Sequence, residues 1–310
     1  MERILISGGN GFLGSHLVEK ALAEGMEVVV VDDFSTSAEI NIPNDVELVR
    51  KHIEDYSDDR KYDFVVHLAA RPSPEDYISH PTSTILSNSL GTKVMLDIAR
   101  KSDSVFMYTS SSEVYGEASI IPTPEGYNGN VSPNGIRSCY DEGKRFSEAL
   151  SMAYQREFGI DVRIQRPFNV YGPRIREDGY YGRVVPRFIL QALENSSFTI
   201  HGNGEQTRSF LFVDDWVDAT WKFLHKDVLG SRILNIGSSE QITILELAKK
   251  IKGMTVSTSQ FQFQDRRDDD PTRRAADTHL VIENLGWEPK VGLEIGLKET
   301  IDWMKSKRGL

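Results

Sequence analysis

Short apolar runs alternate with helical segments through the first half of the chain. Residues 11–25 and 81–102 carry apolar positions at helical spacing. Before, between and after them lie four runs dominated by apolar residues: RILISGG (3–9), MEVVVVDDF (26–34), DFVVHLAA (63–70) and VFMYTSSS (105–112). Strands that are apolar on both faces and alternate with helices are typical of a parallel sheet covered on both sides. The pattern therefore predicts an α/β fold with a doubly wound parallel sheet.

The pattern changes after residue 167. Residues 259–276 are polar and dense in charge, and they predict a loop. Shorter helices are predicted over three segments: 182–197, 243–253 and 294–307. We therefore expect a main domain over 1–167, with returns to its sheet near 209–237. A smaller mixed α/β domain over 168–310 is expected to be interleaved with it.

Composition and charge exclude several functions. The chain has 310 residues and a net charge of −10, which disfavours nucleic acid and anionic lipid as partners. Cys139 is the single cysteine, so no internal disulfide forms and a cytoplasmic location is expected. The sequence has no signal-like leader, no run of about 18 apolar residues and no metal-ligand spacing. We therefore expect no membrane span and no bound metal.

A glycine motif follows the first predicted strand. Gly8, Gly11 and Gly14 allow a tight turn, close approach to a pyrophosphate and close packing of the next helix. Asp32, at the end of the second strand, is placed to bond the ribose diol of adenosine and repels a 2′-phosphate. The sequence therefore predicts NAD rather than NADP as cofactor, and a Rossmann-type domain over 1–167.

The segment SCYDEGKRF (138–146) places a tyrosine and a lysine on one helix face. Tyr140 and Lys144 occupy i and i+4 positions. A lysine ammonium beside a phenol stabilises phenolate and lowers the tyrosine pKa, which makes a general base. Taken by itself, the spacing also fits an ordinary exposed helix face.

Together these motifs resemble the extended short-chain dehydrogenases/reductases that modify nucleotide sugars. The resemblance covers essentially the whole chain and includes HLAAR (67–71), TSSSEVYG (109–116) and RPFNVYGPR (166–174). The segments RSCYDEGKR (137–145) and GNGEQTRSF (202–210) are similar to the branch that decarboxylates UDP-glucuronate. A UDP-sugar substrate is therefore implied.

The resemblance implies a role for each candidate residue. Tyr140 would be the catalytic base, Lys144 would lower its pKa, and Ser111 would hydrogen-bond the reacting oxygen. The implied cofactor-binding residues are Gly8, Gly11, Phe12, Leu13, Gly14, Asp32, Ile53, Leu68, Ala69, Tyr140, Lys144 and Pro167. The implied substrate-binding residues are Ser112, Asn169, Arg183, Arg208 and Arg274.

Three points stay open at this stage. His52 stands where the family has an acid near the adenine. Arg267 and Arg273 cannot be separated from Arg274 as ligands of the diphosphate. The resemblance also implies a homodimer through a four-helix bundle, built from helices over 82–101 and 138–158.

The triplet Ser111–Ser112–Glu113 bears on which sugar chemistry follows. The 4,6-dehydratases that this chain resembles have an aspartate at the position of Ser112. Serine is a poor general acid, so Ser112 disfavours dehydration. Glu113 beside a neutral serine fits the decarboxylase pattern, in which a 4-keto uronic acid loses CO₂ to give UDP-xylose. We therefore expect a UDP-glucuronate decarboxylase with Glu113 as a catalytic residue. A UDP-sugar 4-epimerase remains the alternative, and an inactive NAD-binding sensor is disfavoured because Tyr140 and Lys144 are both present.

Overall fold

The computed structural model describes residues 1–37, 39–177, 183–227, 231–266 and 273–310. The strands are β1 (Arg3–Ser7), β2 (Glu27–Asp32), β3 (Glu47–Arg50), β4 (Phe64–His67), β5 (Val105–Thr109), β6 (Asp161–Pro167), β7 (Val170–Tyr171), β8 (Phe198–His201), β9 (Thr207–Ser209), β10 (Leu211–Phe212), β11 (Ile233–Ile236), β12 (Gln241–Thr243), β13 (Phe261–Gln264) and β14 (Arg273–Arg274). The helices are α1 (Phe12–Ala23), α2 (Pro74–Ser79), α3 (Pro81–Ser102), α4 (Ser138–Phe158), α5 (Val184–Leu193), α6 (Val213–His225), α7 (Ile244–Thr255), α8 (His279–Leu285) and α9 (Leu293–Lys307). Short 3-10 turns lie at Ile53–Asp55 and Ser112–Tyr115. None of these described helices has both the length and the apolar character needed to cross a bilayer.

Within the described residues, seven parallel strands form the central sheet in the order β11-β6-β5-β4-β1-β2-β3. The strand order reverses between β1 and β4. A reversal of this kind opens a crevice at the carboxyl ends of the strands, which is where ligands bind in such sheets. The predicted doubly wound α/β fold is confirmed.

The two faces of this sheet are covered by different helices. Because side chains alternate along a strand, Ile4 and Ile6 of β1 pack in the core formed with α1 and α6. Leu5 packs on the opposite face with Met95 and Leu96 of α3. Burial of such a side chain contributes about 1.5–3 kcal/mol to stability. The loops at the carboxyl edge therefore rest on a rigid support.

The smaller part of the chain has its own core, formed by α5, α7 and α9 with β8. It adds the strand groups β10-β7, β12-β9-β14 and β13-β8. The expected return to the main sheet is made by β11, which pairs with β6, and by α6, which packs on the α1 side. The domain boundary after residue 167 stays a prediction.

The loop predicted over 259–276 is wrong in two places, at β13 and at the short strand β14. Residues Phe261–Gln264 form β13, which pairs in parallel with β8. Phe261 packs against the smaller core, where its ring centroid lies 5.4 Å from that of Phe198. The polar composition concealed this strand because β13 alternates aromatic and glutamine residues and is only half-buried.

Candidate active site

A cavity of about 690 Å³ opens at the carboxyl edge of the central sheet. It extends from the turn after β1 to residues of β9 and β14 in the smaller part. Every residue that the sequence predicted to bind cofactor or substrate, or to act in catalysis, lines this cavity. The fold thus brings the predicted residues together, while their individual roles stay predictions.

The turn between β1 and α1 requires glycine at two positions. Gly8 has a φ of +70°, and a Cβ there would lie 2.7 Å from the backbone nitrogen of Ala69. A Cβ on Gly14 would lie 2.2 Å from the carbonyl oxygen of Gly8. The start of α1 is therefore open to close approach, with the partial positive charge of the helix N-terminus behind it. This cradle fits the pyrophosphate of NAD.

Asp32 ends β2 at the rim of this cradle. Its two carboxylate oxygens accept hydrogen bonds from the backbone N–H groups of Asn10 (3.0 Å) and Phe34 (2.8 Å). Burial raises the pKa of Asp32, and the two backbone hydrogen bonds oppose that rise. A carboxylate has further acceptor sites beyond these two bonds, so its position suits a ribose diol.

His52 lies at the point where the sequence left the adenine contact open. Its Nδ1 is 2.9 Å from Oδ2 of Asp33, and both residues line the cavity. Because a carboxylate only accepts hydrogen bonds, Nδ1 carries the hydrogen in this pair. His52 and Asp33 therefore form an acid–imidazole pair in the wall of the cavity.

We expect Asp32→Asn to weaken NAD binding and to reduce the preference for NAD over NADP. The lost charge no longer bonds the ribose diol strongly and no longer repels a 2′-phosphate. Calorimetric titration with each cofactor should show a NAD/NADP affinity ratio that falls by about tenfold or more, equivalent to about 1.4 kcal/mol. Asp33→Asn is the matched control. An equal fall in both variants would contradict a specific role for Asp32.

Tyr140 lies in the first turn of α4. Its ring stacks on Tyr77 of α2, with centroids 5.4 Å apart and 19° between the planes. Burial raises the pKa of Tyr140 to about 12, and a hydrogen bond with the Ser111 side chain opposes that rise. In the chain by itself the phenol therefore keeps its proton at neutral pH.

Lys144 lies one helical turn further along α4. Its Nζ donates a hydrogen bond to the carbonyl oxygen of Thr109 (2.8 Å) and lies 5.7 Å from the centre of the Tyr140 ring. Burial lowers the pKa of Lys144 to about 7, although the charge of Glu148 opposes this. Burial thus raises the pKa of the Tyr140 phenol, whereas the sequence predicted that Lys144 would lower it. The positive charge of a bound nicotinamide is the further influence that lowers a phenol pKa.

Glu113 lies between two arginines. Its carboxylate accepts hydrogen bonds from Arg137, at the start of α4, and from Arg274 of β14. Burial alone would raise the pKa of Glu113, but the charges of Arg274 and Arg137 lower it to about 2. Glu113 is therefore an ionised acceptor and a poor proton donor at neutral pH.

The structure separates the candidate arginines. Arg274 is buried and lines the cavity, whereas its neighbour Arg273 is exposed and points to Gln241. This follows from the alternation of side chains along β14. Arg208 of β9 is also buried in the cavity wall, and Arg183 lines the cavity just before α5. Arg267 and the acidic run 268–270 lie outside the described residues.

Two residues of this site were missed by the sequence reasoning. Arg137 bonds Glu113, and its Nε lies 3.7 Å from Oδ2 of Asp141. Both residues belong to the segment RSCYDEGKR, and their i and i+4 spacing is a signal that places them on one helix face. No group of three His, Cys, Asp or Glu residues suited to a metal ion occurs in the described part of the chain.

The fold and this site define a dinucleotide-dependent enzyme class, and comparison with known proteins agrees. The chain matches the NAD dependent epimerase/dehydratase family over residues 4–237, which is most of its length. The chain therefore belongs to the NAD-dependent epimerase/dehydratase family. NAD is accordingly the cofactor that the glycine cradle and Asp32 fit.

Similar proteins include decarboxylases and 4-epimerases of UDP-sugars. UDP-glucuronic acid decarboxylase 5 of Arabidopsis thaliana is 43% identical, over 95% of this chain and 87% of the relative. UDP-glucuronic acid decarboxylase 1 of Danio rerio is 40% identical, over 97% of this chain and 72% of the relative. Among solved structures, the UDP-glucuronic acid 4-epimerase of Bacillus cereus, in complex with UDP-glucuronic acid and NAD, superposes with a TM-score of 0.87 and 28% identity, over 98% and 99% of the two chains. The UDP-glucose 4-epimerase of Thermotoga maritima, with UDP-glucose, has a TM-score of 0.90 and 31% identity, over 99% of each chain.

Proposed function

We propose that this protein is an NAD-dependent UDP-glucuronate decarboxylase that forms UDP-xylose through a 4-keto intermediate. The observation that carries the proposal is Glu113, ionised between Arg137 and Arg274 in a cavity that also contains Tyr140. Ser112, at the position where a dehydratase needs an acid, is a neutral buried residue of the cavity wall. The similarity to decarboxylases over nearly the whole chain supports the same proposal.

The first step needs a base at the sugar 4-hydroxyl. With NAD bound, the positive charge of the nicotinamide would favour the phenolate of Tyr140, which takes this proton. The Ser111 side chain, which already bonds the phenol, holds the sugar oxygen in line. Bound NAD supplies the chemistry that the side chains lack, because it accepts a hydride from C4 and returns it later. Lys144, which lines the cavity, would donate hydrogen bonds to the ribose hydroxyls of the bound cofactor.

The second step breaks the bond between C5 and the carboxylate carbon. Oxidation at C4 makes the uronic acid a β-keto acid, so CO₂ leaves and the bonding electrons pass to the C4 oxygen as an enolate. Tyr140, now protonated, and Ser111 stabilise this oxygen by hydrogen bonds. Protonation at C5, with Glu113 orienting a water molecule, and hydride return to C4 complete a redox-neutral cycle.

The diphosphate of the substrate needs positively charged side chains. We look for them where the smaller part of the chain lines the cavity. Arg208 of β9 lines the cavity and is buried, and arginine matches phosphate geometry with two parallel hydrogen bonds. Asn169 donates a hydrogen bond from its Nδ2 to the carbonyl oxygen of Ser209 (2.8 Å), which is the residue next to Arg208 in the chain. We assign the phosphates to Arg208 and Asn169, with Arg183 as a further contact. Arg274, which the sequence also predicted to bind the diphosphate, instead pairs with Glu113.

Incubation with NAD and UDP-glucuronate, followed by proton NMR, tests this function. We expect UDP-xylose and one CO₂ for each UDP-glucuronate consumed. The solved 4-epimerases with the same fold favour one alternative, in which UDP-galacturonate forms and no CO₂ is released. That product, or conversion of UDP-glucose to UDP-galactose without decarboxylation, would overturn the decarboxylase proposal.

We also propose a homodimer through a four-helix bundle formed by α3 and α4 of each copy. The two helices pack on each other in one chain. Leu86 and Leu90 of α3 and Phe146 of α4 leave apolar surface exposed, with Phe146 51% exposed. Burial of this surface against a second copy would stabilise a dimer.

Light scattering on the purified protein checks the dimer. We expect twice the chain mass for the unaltered protein and a monomer for the double variant Leu90→Glu/Phe146→Glu, because buried unpaired charges oppose association. The matched control is Ile295→Glu on α9, which changes an equally exposed apolar residue elsewhere. A double variant that stays dimeric would place the interface on another surface.

A cytoplasmic location is the remaining proposal. It rests on Cys139, the single cysteine of the chain, which is buried as a free thiol. Proteins of oxidising compartments more often use cysteine pairs. Cell fractionation with an antibody against the protein tests it, and recovery outside the soluble cytoplasmic fraction would contradict it.

A further inference from the structure

Asp141 is a buried acid beside the catalytic tyrosine that the proposed reaction leaves without a role. It is only 7% exposed, and its carboxylate lies behind Arg137 rather than in the wall of the cavity. Oδ2 is 3.7 Å from Nε of Arg137, while Oδ1 has no hydrogen-bond partner among the described residues. The charged form of a buried carboxylate with so few hydrogen bonds is unfavourable in free energy.

The charges around Asp141 come from several elements. Glu113 approaches from the turn after β5, and Arg274 from β14. The other titratable groups that face it in the described part of the chain are Tyr77 of α2 and, on its own helix or at the start of it, Arg137, Cys139, Tyr140 and Glu142. The charges of Arg137 and Arg274 thus already stabilise two carboxylates, those of Glu113 and Asp141.

A uronate ligand brings a third carboxylate to these two arginines. Carbon 6 of the sugar is separated from C4 by a single carbon, so a hexuronate that presents its 4-hydroxyl to Tyr140 also places its carboxylate near this end of the cavity. The carboxylates of the ligand, Glu113 and Asp141 repel one another, against the attraction of Arg137 and Arg274. The least well bonded of the three is Asp141, because Glu113 has hydrogen bonds from both arginines.

We propose that Asp141 takes up a proton when a sugar carboxylate binds next to Arg137 and Arg274, and that it thereby links recognition of an anionic sugar to pH. The proposal rests on the proposed function, since it assumes that a UDP-uronate is the ligand. Asp141 acts through Arg137 and is a positioning residue. A neutral sugar such as UDP-glucose brings no third carboxylate and binds without this proton.

The direction of the pH effect follows from the protonation of Asp141. Burial, and after it the charge of Glu113, raises the pKa of Asp141 to about 7, against the opposite effect of Arg137 and Arg274. A third carboxylate raises this pKa further in the complex. Below about pH 7 the acid is already protonated and affinity for UDP-glucuronate is constant. Above it, affinity falls by up to about tenfold per pH unit until the pKa of the complex is reached.

The test counts protons by titration calorimetry in two buffers of different ionisation enthalpy, at about pH 7.5. The protein is loaded with NADH, which cannot oxidise the sugar, and titrated with UDP-glucuronate or UDP-glucose. We expect uptake of about half a proton or more with UDP-glucuronate and close to none with UDP-glucose. UDP-glucuronate that binds without proton uptake would overturn this proposal and leave the proposed function intact.

Two variants locate the proton. Asp141→Asn is expected to abolish the uptake and to make the dissociation constant for UDP-glucuronate independent of pH above 7. The matched control Glu142→Gln, the next acid on α4, is expected to retain both effects. Uptake that persists in Asp141→Asn would assign the proton to another group and overturn the proposal. The proton count of the unaltered protein stands as a test even if a variant fails to fold, and failure of UDP-glucuronate to bind at all would overturn both proposals.

Discussion

Replacement of Tyr140 by phenylalanine is expected to lower kcat by about 10³-fold or more. The variant removes the proposed base at the sugar hydroxyl, and positioned acid–base groups contribute about 10²–10⁴-fold. The same hydroxyl also stabilises the enolate, so two steps lose the same group. Substrate binding should change little, because the ring remains stacked on Tyr77.

Rates of CO₂ release with saturating UDP-glucuronate check this expectation. Tyr154→Phe is the matched control, since it removes a phenolic hydroxyl from the same helix, where that group bonds Asp97 (2.8 Å) outside the cavity. We expect the control to keep the rate within about twofold, since surface substitutions usually have small effects. A Tyr140→Phe variant that retains turnover would mean that another group is the base.

Arg274→Gln should have the second largest effect on activity. Truncation of one partner of a buried, hydrogen-bonded charge pair costs about 2–5 kcal/mol. Arg274 has two anionic partners in the proposed complex, Glu113 and the sugar carboxylate, so we expect kcat/KM for UDP-glucuronate to fall by about 10²-fold or more. UDP-glucose should lose much less affinity, because it has no carboxylate.

The matched control for Arg274→Gln is Arg273→Gln, which removes the same charge from the adjacent, exposed position of β14. Steady-state rates and a thermal melt should be recorded for both variants. A rate loss with an unchanged melting temperature assigns Arg274 to the site. Equal losses in the two variants would indicate a general effect of net charge and contradict the assignment.

Several features of the molecule are determined by residues that are close in sequence. The turn from β1 to α1, with Gly8 and Gly14, and the acid Asp32 at the end of β2 follow from local backbone sterics and from the shape of one strand–helix–strand unit. The facing positions of Tyr140 and Lys144 follow from the helical repeat. These features were predictable because each depends on a few neighbouring residues and on a continuous apolar pattern.

Other features depend on contacts that local patterns do not encode. Glu113 and Arg274 are 161 positions apart in the chain, and their pairing requires β14 to lie beside β9 at the cavity wall. The same placement buries Arg274 and exposes Arg273, which the sequence left equivalent. Strand β13 escaped prediction because its pairing with β8, rather than its composition, stabilises it.

The protonation of the site was also decided by the tertiary structure. The sequence predicted that Lys144 lowers the pKa of Tyr140, yet burial raises the pKa of the phenol and lowers that of the lysine. The sequence by itself determined the fold class and the cofactor, and it predicted many of the residues that line the cavity. Only the tertiary structure decided which charges meet, because desolvation and ion pairing depend on distances between elements far apart along the chain.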